Sequence, residues 1–512
     1  MNNATPLNTE LISGFLSSLN VTVERLVTDS RAIKQGDTFV AYPGETADGR
    51  HFIDQAIANG ANAVIWEAQD FIWNEAWQIP NLALVNLRQH AGEIADHVYH
   101  HPSKNLWVVG ITGTNGKTSC SHWIAQLFCV LNRRAALIGT LGNGFPQQNS
   151  LDDLQPTLNT TPDAILLQGL LADYLAQAAQ VVVMEVSSHA LEQGRVNGVQ
   201  FDVALLTNLS RDHLDYHGDM QHYAAAKRRL FDSPQLKYAV LNLDDPFGAE
   251  LAVQLQDKSL EVIGYGLTDA ALAQAERIGM RMVYGGALRM DSQGFSVQVH
   301  SSWGSGELHS NLLGRFNAAN QLAVLAVLLV SGVTLTDALN ELAQVRAVPG
   351  RMQTLGGNGR PTVVVDYAHT PDALEKVLQA LREIATANNG KLICLMGCGG
   401  DRDRGKRPLM GAIAARLADR CIVTSDNPRS ENPHDIIAAI VDGMKSPASC
   451  QIIEDRALAI AQAIRDARAI DAVLVAGKGH EMYQEINGVK HPFSDTEMAQ
   501  HALQLWREEV RI

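Results

Sequence analysis

The sequence predicts an α/β protein of three domains, with mostly parallel strands covered by helices. Three observations carry that expectation. Short apolar runs of strand length alternate with helical segments along most of the chain. One such unit, Leu106 to Thr118 (LWVVGITGTNGKT), joins strand to helix through a glycine-rich turn. The 512 residues also break at two turn-rich points, His100 to Ser103 and Val348 to Arg351, and a chain of this length suits about three domains.

Residues 1–102 read as a small α/β domain, with apolar segments at 37–44, 51–60, 63–67 and 82–86. The polar stretches between them, Thr28 to Arg31 and Glu45 to Arg50, are either plain turns or loops that hydrogen-bond a phosphate or sugar. Residues 103–345 form the central domain. Its strands are expected near 107–111, 135–140, 181–186, 203–208 and 238–243, followed by an antiparallel hairpin or meander near 281–313 and a helix over 316–330. Residues 346–512 read as a second doubly wound, Rossmann-like unit. Its strands lie near 362–368, 391–397, 421–426 and 472–477, and helices near 372–386, 406–418, 433–444, 456–467 and 495–507. Its strands end in polar loops, and ligands of open α/β sheets bind beyond the carboxyl ends of strands.

Composition narrows the function. Hydrophobic residues make up 46% and charged residues 19%, which suits a soluble globular chain. A net charge of −14 argues against nucleic acid, which needs a basic face. The first basic residue is Arg25, leaving no basic n-region for a signal peptide. The apolar run Leu322 to Val330 is far shorter than the ~20 residues that span a bilayer. The expectation is a cytoplasmic protein without stable membrane insertion. Six cysteines are too sparse for a disulfide framework. Cys394 and Cys398 lack a matching ligand pair, so a buried thiol and a loop thiol are expected there, not zinc.

The turn after the first central strand carries the clearest chemistry. Backbone N–H groups of Gly113, Thr114, Asn115 and Gly116 can line an anion site, aided by the helix dipole. Lys117 would reach terminal phosphates and the Thr118 hydroxyl would ligate magnesium. The strict Walker spacing fails, because Ile111 stands where its first glycine belongs. The pattern present is GxxGxxGKT from Gly110, a P-loop-like variant.

Other candidates lie at strand ends. Glu185 is either structural or a Walker-B-like magnesium carboxylate. His213, in the loop Asn208 to His217, is either structural or a second metal ligand. Lys227, beside Arg228 and Arg229, reads from its neighbours alone as part of a solvated basic face. Asn317, Asn320, Arg351 and Asp366 are single polar residues at element ends.

Assembled, these segments resemble the Mur ligase family, ATP-dependent amino-acid ligases of peptidoglycan synthesis. The resemblance rests on GTNGKTS (113–119), NTTP (159–162), MEVSSHAL (184–191), TNLSRDHLDYHG (207–218), GRFNAANQLA (314–323), PGRMQ (349–353), DYAHTPDAL (366–374), GCGGDRDRGKRP (397–408) and GKGHE (477–481). It implies the three-domain Mur ligase architecture, with a central P-loop ATPase-like sheet between a nucleotide-sugar domain and an amino-acid domain. The motif Asp426-Asn427-Pro428-Arg429 resembles the branch that adds meso-diaminopimelate to UDP-N-acetylmuramoyl-L-alanyl-D-glutamate. Diaminopimelate is lysine plus a distal carboxylate, which a guanidinium can clamp bidentately. A buried Arg429 left without a carboxylate would also penalise lysine.

The resemblance implies further roles. Thr28, Ser30, Glu45, Thr46 and Ala47 would contact the uridine nucleotide. Asn159, Thr160, Thr161, Ser187, Gln193 and Arg195 would hold the muramoyl dipeptide. Arg402, Asp426 to Arg429, Gly477 and Glu481 would hold diaminopimelate. ATP would be seated by residues 113–119, including Ser119, with Asn317, Arg351 and Asp366. Mg2+ would be held by Thr118 and Glu185, and a second ion by His213 and Lys227, the latter carbamylated (N6-carboxylysine). That reverses the solvated-face reading of Lys227. The expected chemistry is an acyl-phosphate ligation catalysed by Lys117, Glu185, His213 and Lys227 in a monomer. The rivals are a folylpolyglutamate synthase and a nucleotide-dependent switch that hydrolyses ATP without ligation.

Overall fold

The structure is a computed structural model and describes residues 7–45, 47–146, 154–157, 159–256, 258–291, 293–444 and 450–507. Three sheets and one hairpin organise the chain. The first sheet is parallel and runs Leu26–Val27, Thr38–Ala41, Ala63–Glu67, Asn81–Leu84. His100 and His101 adopt left-handed backbone and lead into a short 3-10 helix, Pro102–Asn105. The linker is anchored: buried Ser103 accepts the Gln200 N–H at 3.1 Å.

The central sheet has ten strands. From edge to edge they are Gly304–Ser310, Gly294–Ser301, Arg281–Asp291, Glu261–Gly266, Tyr238–Asn242, Val203–Leu206, Trp107–Thr112, Val181–Glu185, Ala135–Gly139 and Gly142–Gly144. The middle strands are parallel and the first three form the expected antiparallel meander. Side chains of a strand alternate between faces. Val109 and Ile111 therefore meet the helices Lys117–Val130 and Arg315–Val330 in one core, while Val108 enters a second core with Leu167 and Leu171 of helix Ala164–Ala176. Burial on both faces is why Val181 to Met184 reads as an unbroken apolar run.

The third sheet is ordered Gln353–Gly356, Thr362–Asp366, Ala472–Ala476, Leu392–Met396, Arg420–Val423, Cys450–Ile452. Only its first strand runs antiparallel. Thr370 starts the helix Pro371–Ala387 by accepting the Ala373 N–H, with proline at the first position, where its missing N–H costs nothing. The strands Glu261–Gly266, Gln353–Gly356 and Cys450–Ile452 escaped the sequence reading, as did the hairpin Tyr483–Ile486 with Val489–Pro492. The first is interrupted by glycine. The others are edge or surface strands, with little apolar run to mark them. Cys394 and Cys398 are both buried, Cys398 in a loop beside Met410.

Candidate active site

The strand Trp107–Thr112 delivers its carboxyl end to the glycine turn. Gly113 has φ +143°, and a Cβ there would meet Thr207 Oγ1 at 1.9 Å, so only glycine fits. Thr114 and Asn115 are held by the neighbouring strand end: Thr114 Oγ1 donates to the Ser210 carbonyl at 3.1 Å, and the Asn115 N–H donates to Asn208 Oδ1 at 3.0 Å. Lys117 Nζ donates to the carbonyls of Gly113 (2.8 Å) and Thr114 (3.0 Å), so it curls over the turn that was expected to hold phosphate. Burial lowers its amine below the ordinary lysine value, against the charges of Glu185 and Asp212.

Thr118 and Glu185 meet. Thr118 Oγ1 donates to Glu185 Oε2 at 2.9 Å, and Glu185 also accepts the Thr140 N–H (2.8 Å) and hydroxyl (3.1 Å). The Glu185 carboxylate and the hydroxyls of Thr118 and Thr140 make an oxygen donor set. That fits magnesium, which takes few protein ligands and fills its sphere with phosphates and water.

Lys227 is only 1% exposed, which overturns the solvated-face reading. Its Nζ donates to the Gly113 carbonyl at 2.9 Å and lies 4.5 Å from the Tyr223 ring centroid. Burial, reinforced by Lys117, pushes its amine well below the ordinary value. A neutral amine is the form that reacts with carbon dioxide. His213 is half-buried, 3.3 Å from Asp212, and burial lowers its imidazole. Among the described residues no group of three or more His, Cys, Asp or Glu side chains converges as a metal site. An imidazole and an amine alone are poor ligands for magnesium, so a second ion on His213 and Lys227 requires the lysine to carry a carboxylate.

The expected dipeptide residues other than Asn159 join one hydrogen-bonded chain. Thr140 Oγ1 lies 3.1 Å from Thr160 Oγ1. Thr161 Oγ1 donates to the Glu185 carbonyl at 2.8 Å and accepts the Ser187 N–H at 3.1 Å. Arg195 donates to the Thr161 carbonyl (2.9 Å) and Gln193 Oε1 (2.7 Å), and Gln193 donates to Glu45 of the first sheet's unit. Asn159 is exposed and pairs with Thr157. Thr28 is half-buried and Ala47 exposed. Ser30 is buried and already donates to Gln55 at 2.7 Å. Thr46 lies outside the described residues.

A cleft separates the glycine turn from the third sheet. Its lining includes Ser119, Asn317, Asn320, Arg351, Asp366 and Lys376. Asn317 Nδ2 donates to the Leu313 carbonyl at 2.9 Å. Asp366 accepts the Met352 N–H at 2.7 Å, and burial raises its pKa. The cleft is bridged by Arg351, which donates to Thr118 Oγ1 at 3.1 Å, and by Asn115, which donates to Asp372 at 3.1 Å.

At the strand ends of the third sheet, Asp426, Asn427 and Pro428 are buried. Asn427 Nδ2 donates to Glu481 at 2.8 Å, and Gly477 N–H donates to the Asp366 carbonyl at 3.1 Å. Arg402 is exposed. Arg429 departs from expectation. It is partly exposed and already faces a carboxylate, Glu485, at 3.2 Å. The penalty of an unpaired buried guanidinium is therefore removed. Sequence reasoning also missed Thr140 and the fully buried Lys478, whose Nζ donates to Asn427 (2.9 Å) and Glu481 (2.7 Å). Lys478 sits inside GKGHE, so its motif was visible but its partner 51 residues away was not.

Three family models cover this geometry: "Mur ligase family, catalytic domain" over 22–99, "Mur ligase middle domain" over 111–328, and "Mur ligase, glutamate ligase domain" over 350–479. UDP-N-acetylmuramoyl-L-alanyl-D-glutamate–2,6-diaminopimelate ligases of Nitrosomonas europaea and Chromobacterium violaceum are each 52% identical to the chain. They cover 95% and 96% of it, and 94% and 96% of their own lengths. A solved structure with the same enzyme name aligns at TM-score 0.65 and 37% identity, covering 94% of this chain and 95% of its own. The chain belongs to the Mur ligase family.

Proposed function

We propose that this chain is an ATP-dependent ligase that joins meso-diaminopimelate to the D-glutamyl γ-carboxylate of UDP-N-acetylmuramoyl-L-alanyl-D-glutamate, releasing ADP and phosphate. The observation that carries this reading is the position of Glu185. Its carboxylate is shared by Thr118 of the phosphate loop and Thr140, which leads to Thr160. Its carbonyl holds Thr161. Phosphate-binding and acceptor-binding elements therefore meet at one strand end, as transfer of a phosphoryl group to a bound carboxylate requires.

Residues 113–118 bind and orient the ATP phosphates, and Lys117 turns from its carbonyl contacts toward the charge of the transferring group. The acceptor network holds the glutamyl γ-carboxylate in line. Its oxygen bonds to the γ-phosphorus as the bridge to the β-phosphate breaks, and ADP leaves with that electron pair. The diaminopimelate amine, having lost its proton, then attacks the acyl carbon, and phosphate is expelled as the amide forms. Thr118 and Glu185 would hold one magnesium ion, and His213 with Lys227, if carbamylated, a second; the ions would supply charge neutralisation to the phosphates. Closure of the cleft by Arg351 and Asn115 excludes water from the acyl phosphate. Arg429 and Arg402, with Asn427 and Glu481, receive the amino acid, and Thr28, Ser30 and Glu45 to Ala47 the uridine nucleotide. The chain works in the cytoplasm as a monomer, which elution near 55.6 kDa would support.

Phosphate release that requires both muramoyl dipeptide and diaminopimelate supports the reading. Vigorous hydrolysis independent of acceptor would favour a nucleotide switch. Competition by a folate would favour a folylpolyglutamate synthase.

A further inference from the structure

The loop 426–429 is held by the hairpin that follows it. Gln484 Nε2 donates to the Asp426 carbonyl at 2.6 Å, and the Glu485 N–H donates to Asn427 Oδ1 at 2.9 Å. The Arg429 N–H donates to the Glu485 carbonyl at 3.1 Å, and the Asn487 N–H donates to the Arg429 carbonyl at 2.8 Å. The guanidinium is thereby fixed between two neighbours. Nη1 donates to the Gly400 carbonyl at 2.7 Å, and Nε lies 3.2 Å from Glu485 Oε2. Nη2 makes no hydrogen bond among the described residues. The two side chains are 20% and 24% exposed, so the pair faces space that a ligand can enter. Gly399 leaves that space open: a Cβ there would lie 2.9 Å from Arg429 Nη1 and 3.9 Å from Arg402 Cγ.

We propose that Glu485 tunes amino-acid specificity, its carboxylate competing with the distal carboxylate of diaminopimelate for Arg429. This rests on the reading of Arg429 as the carboxylate clamp. A ligand carboxylate on the Nε–Nη2 edge must displace Glu485. On the Nη1–Nη2 edge it sits close to a like charge. Either way Glu485 weakens diaminopimelate binding. It also keeps Arg429 paired when lysine is bound, so lysine meets no unpaired guanidinium. Discrimination then rests on what the ligand carboxylate gains beyond what Glu485 already supplies.

The test is Glu485→Gln, which keeps the backbone contacts and an acceptor for Arg429 Nε. Partly exposed ion pairs are weak, so the KM for diaminopimelate should fall roughly two- to fivefold. The kcat and the KM for ATP should hold, and the KM for lysine should stay or rise. Glu485→Ala should move diaminopimelate in the same direction, and in an Arg429→Ala background the gain should vanish. If Arg429→Ala raises the diaminopimelate KM while Glu485→Gln leaves it unchanged or raises it, Glu485 merely positions the arginine and the proposal is overturned. If Arg429→Ala has no effect on that KM, it is the clamp itself that fails, and the proposal with it.

Discussion

Arg351 reaches across the cleft from the third sheet's unit to place its guanidinium 3.1 Å from the Thr118 hydroxyl of the phosphate loop. The same guanidinium lies 4.4 Å from the Tyr367 ring centroid, so it links the third sheet's side of the cleft to the glycine turn. A charged hydrogen bond is worth about 1.5–3 kcal/mol. Arg351→Ala is therefore expected to lower kcat/KM for ATP by roughly ten- to a hundredfold, measured by steady-state phosphate release with ATP varied.

Lys227 gives a second expectation. Deleting its side chain removes the group that would carry the carbamate, so Lys227→Ala should lose nearly all turnover while keeping its circular-dichroism spectrum. The cavity left behind admits a small carboxylate, and formate should restore part of the activity. Full activity in the unrescued variant would mean that the buried amine has no chemical role.

How these two residues could be read from sequence differs. Gly-Lys-Thr at a strand-to-helix junction marks itself, because the apolar period changes from two to 3.6 at that point. Lys227 could not be placed in the same way. Its neighbours Arg228 and Arg229 are more exposed, and its own burial depends on a helix face meeting the Gly113 carbonyl 114 residues away. Only the family resemblance pointed to it. The alternating strands and helices of the third sheet were legible, since buried parallel strands are continuous apolar runs. Glu485 was not legible. Its hairpin is partly to fully exposed, and its partner lies 56 residues earlier, in a loop whose own motif announces a ligand rather than an internal ion pair.

Arg429→Ala should raise the KM for diaminopimelate by about tenfold or more, the worth of a charge-assisted bidentate contact. It should leave the KM for ATP unchanged. Varying each substrate in turn at saturation of the others checks this.

Stability should depend on pH through His122. This histidine of helix Lys117–Val130 is 2% exposed, and neither ring nitrogen has a hydrogen-bond partner among the described residues. Burial lowers its pKa from 6.5 to about 4. Between those values the unfolded chain binds a proton that the folded chain excludes. The contribution of His122 is thus fully present above about pH 6.5 and falls as the pH drops toward 4, by about 3 kcal/mol. Urea midpoints across pH 4–7.5 should show this slope. His122→Leu should make the slope shallower at little cost near neutrality, since no hydrogen bond to a described residue is lost; the slope that remains belongs to His189, His213 and His480, whose pKa values burial also lowers.

In the proposed reaction, ATP cleaved at Lys117 activates a carboxyl group to which diaminopimelate is then joined. Phosphate release by the purified chain, with the muramoyl dipeptide present and diaminopimelate or lysine offered in turn, tests it most directly. The expected result is release with diaminopimelate, far less with lysine, and almost none in Lys117→Ala. Equal release with no amino acid at all, or full activity in Lys117→Ala, would contradict it.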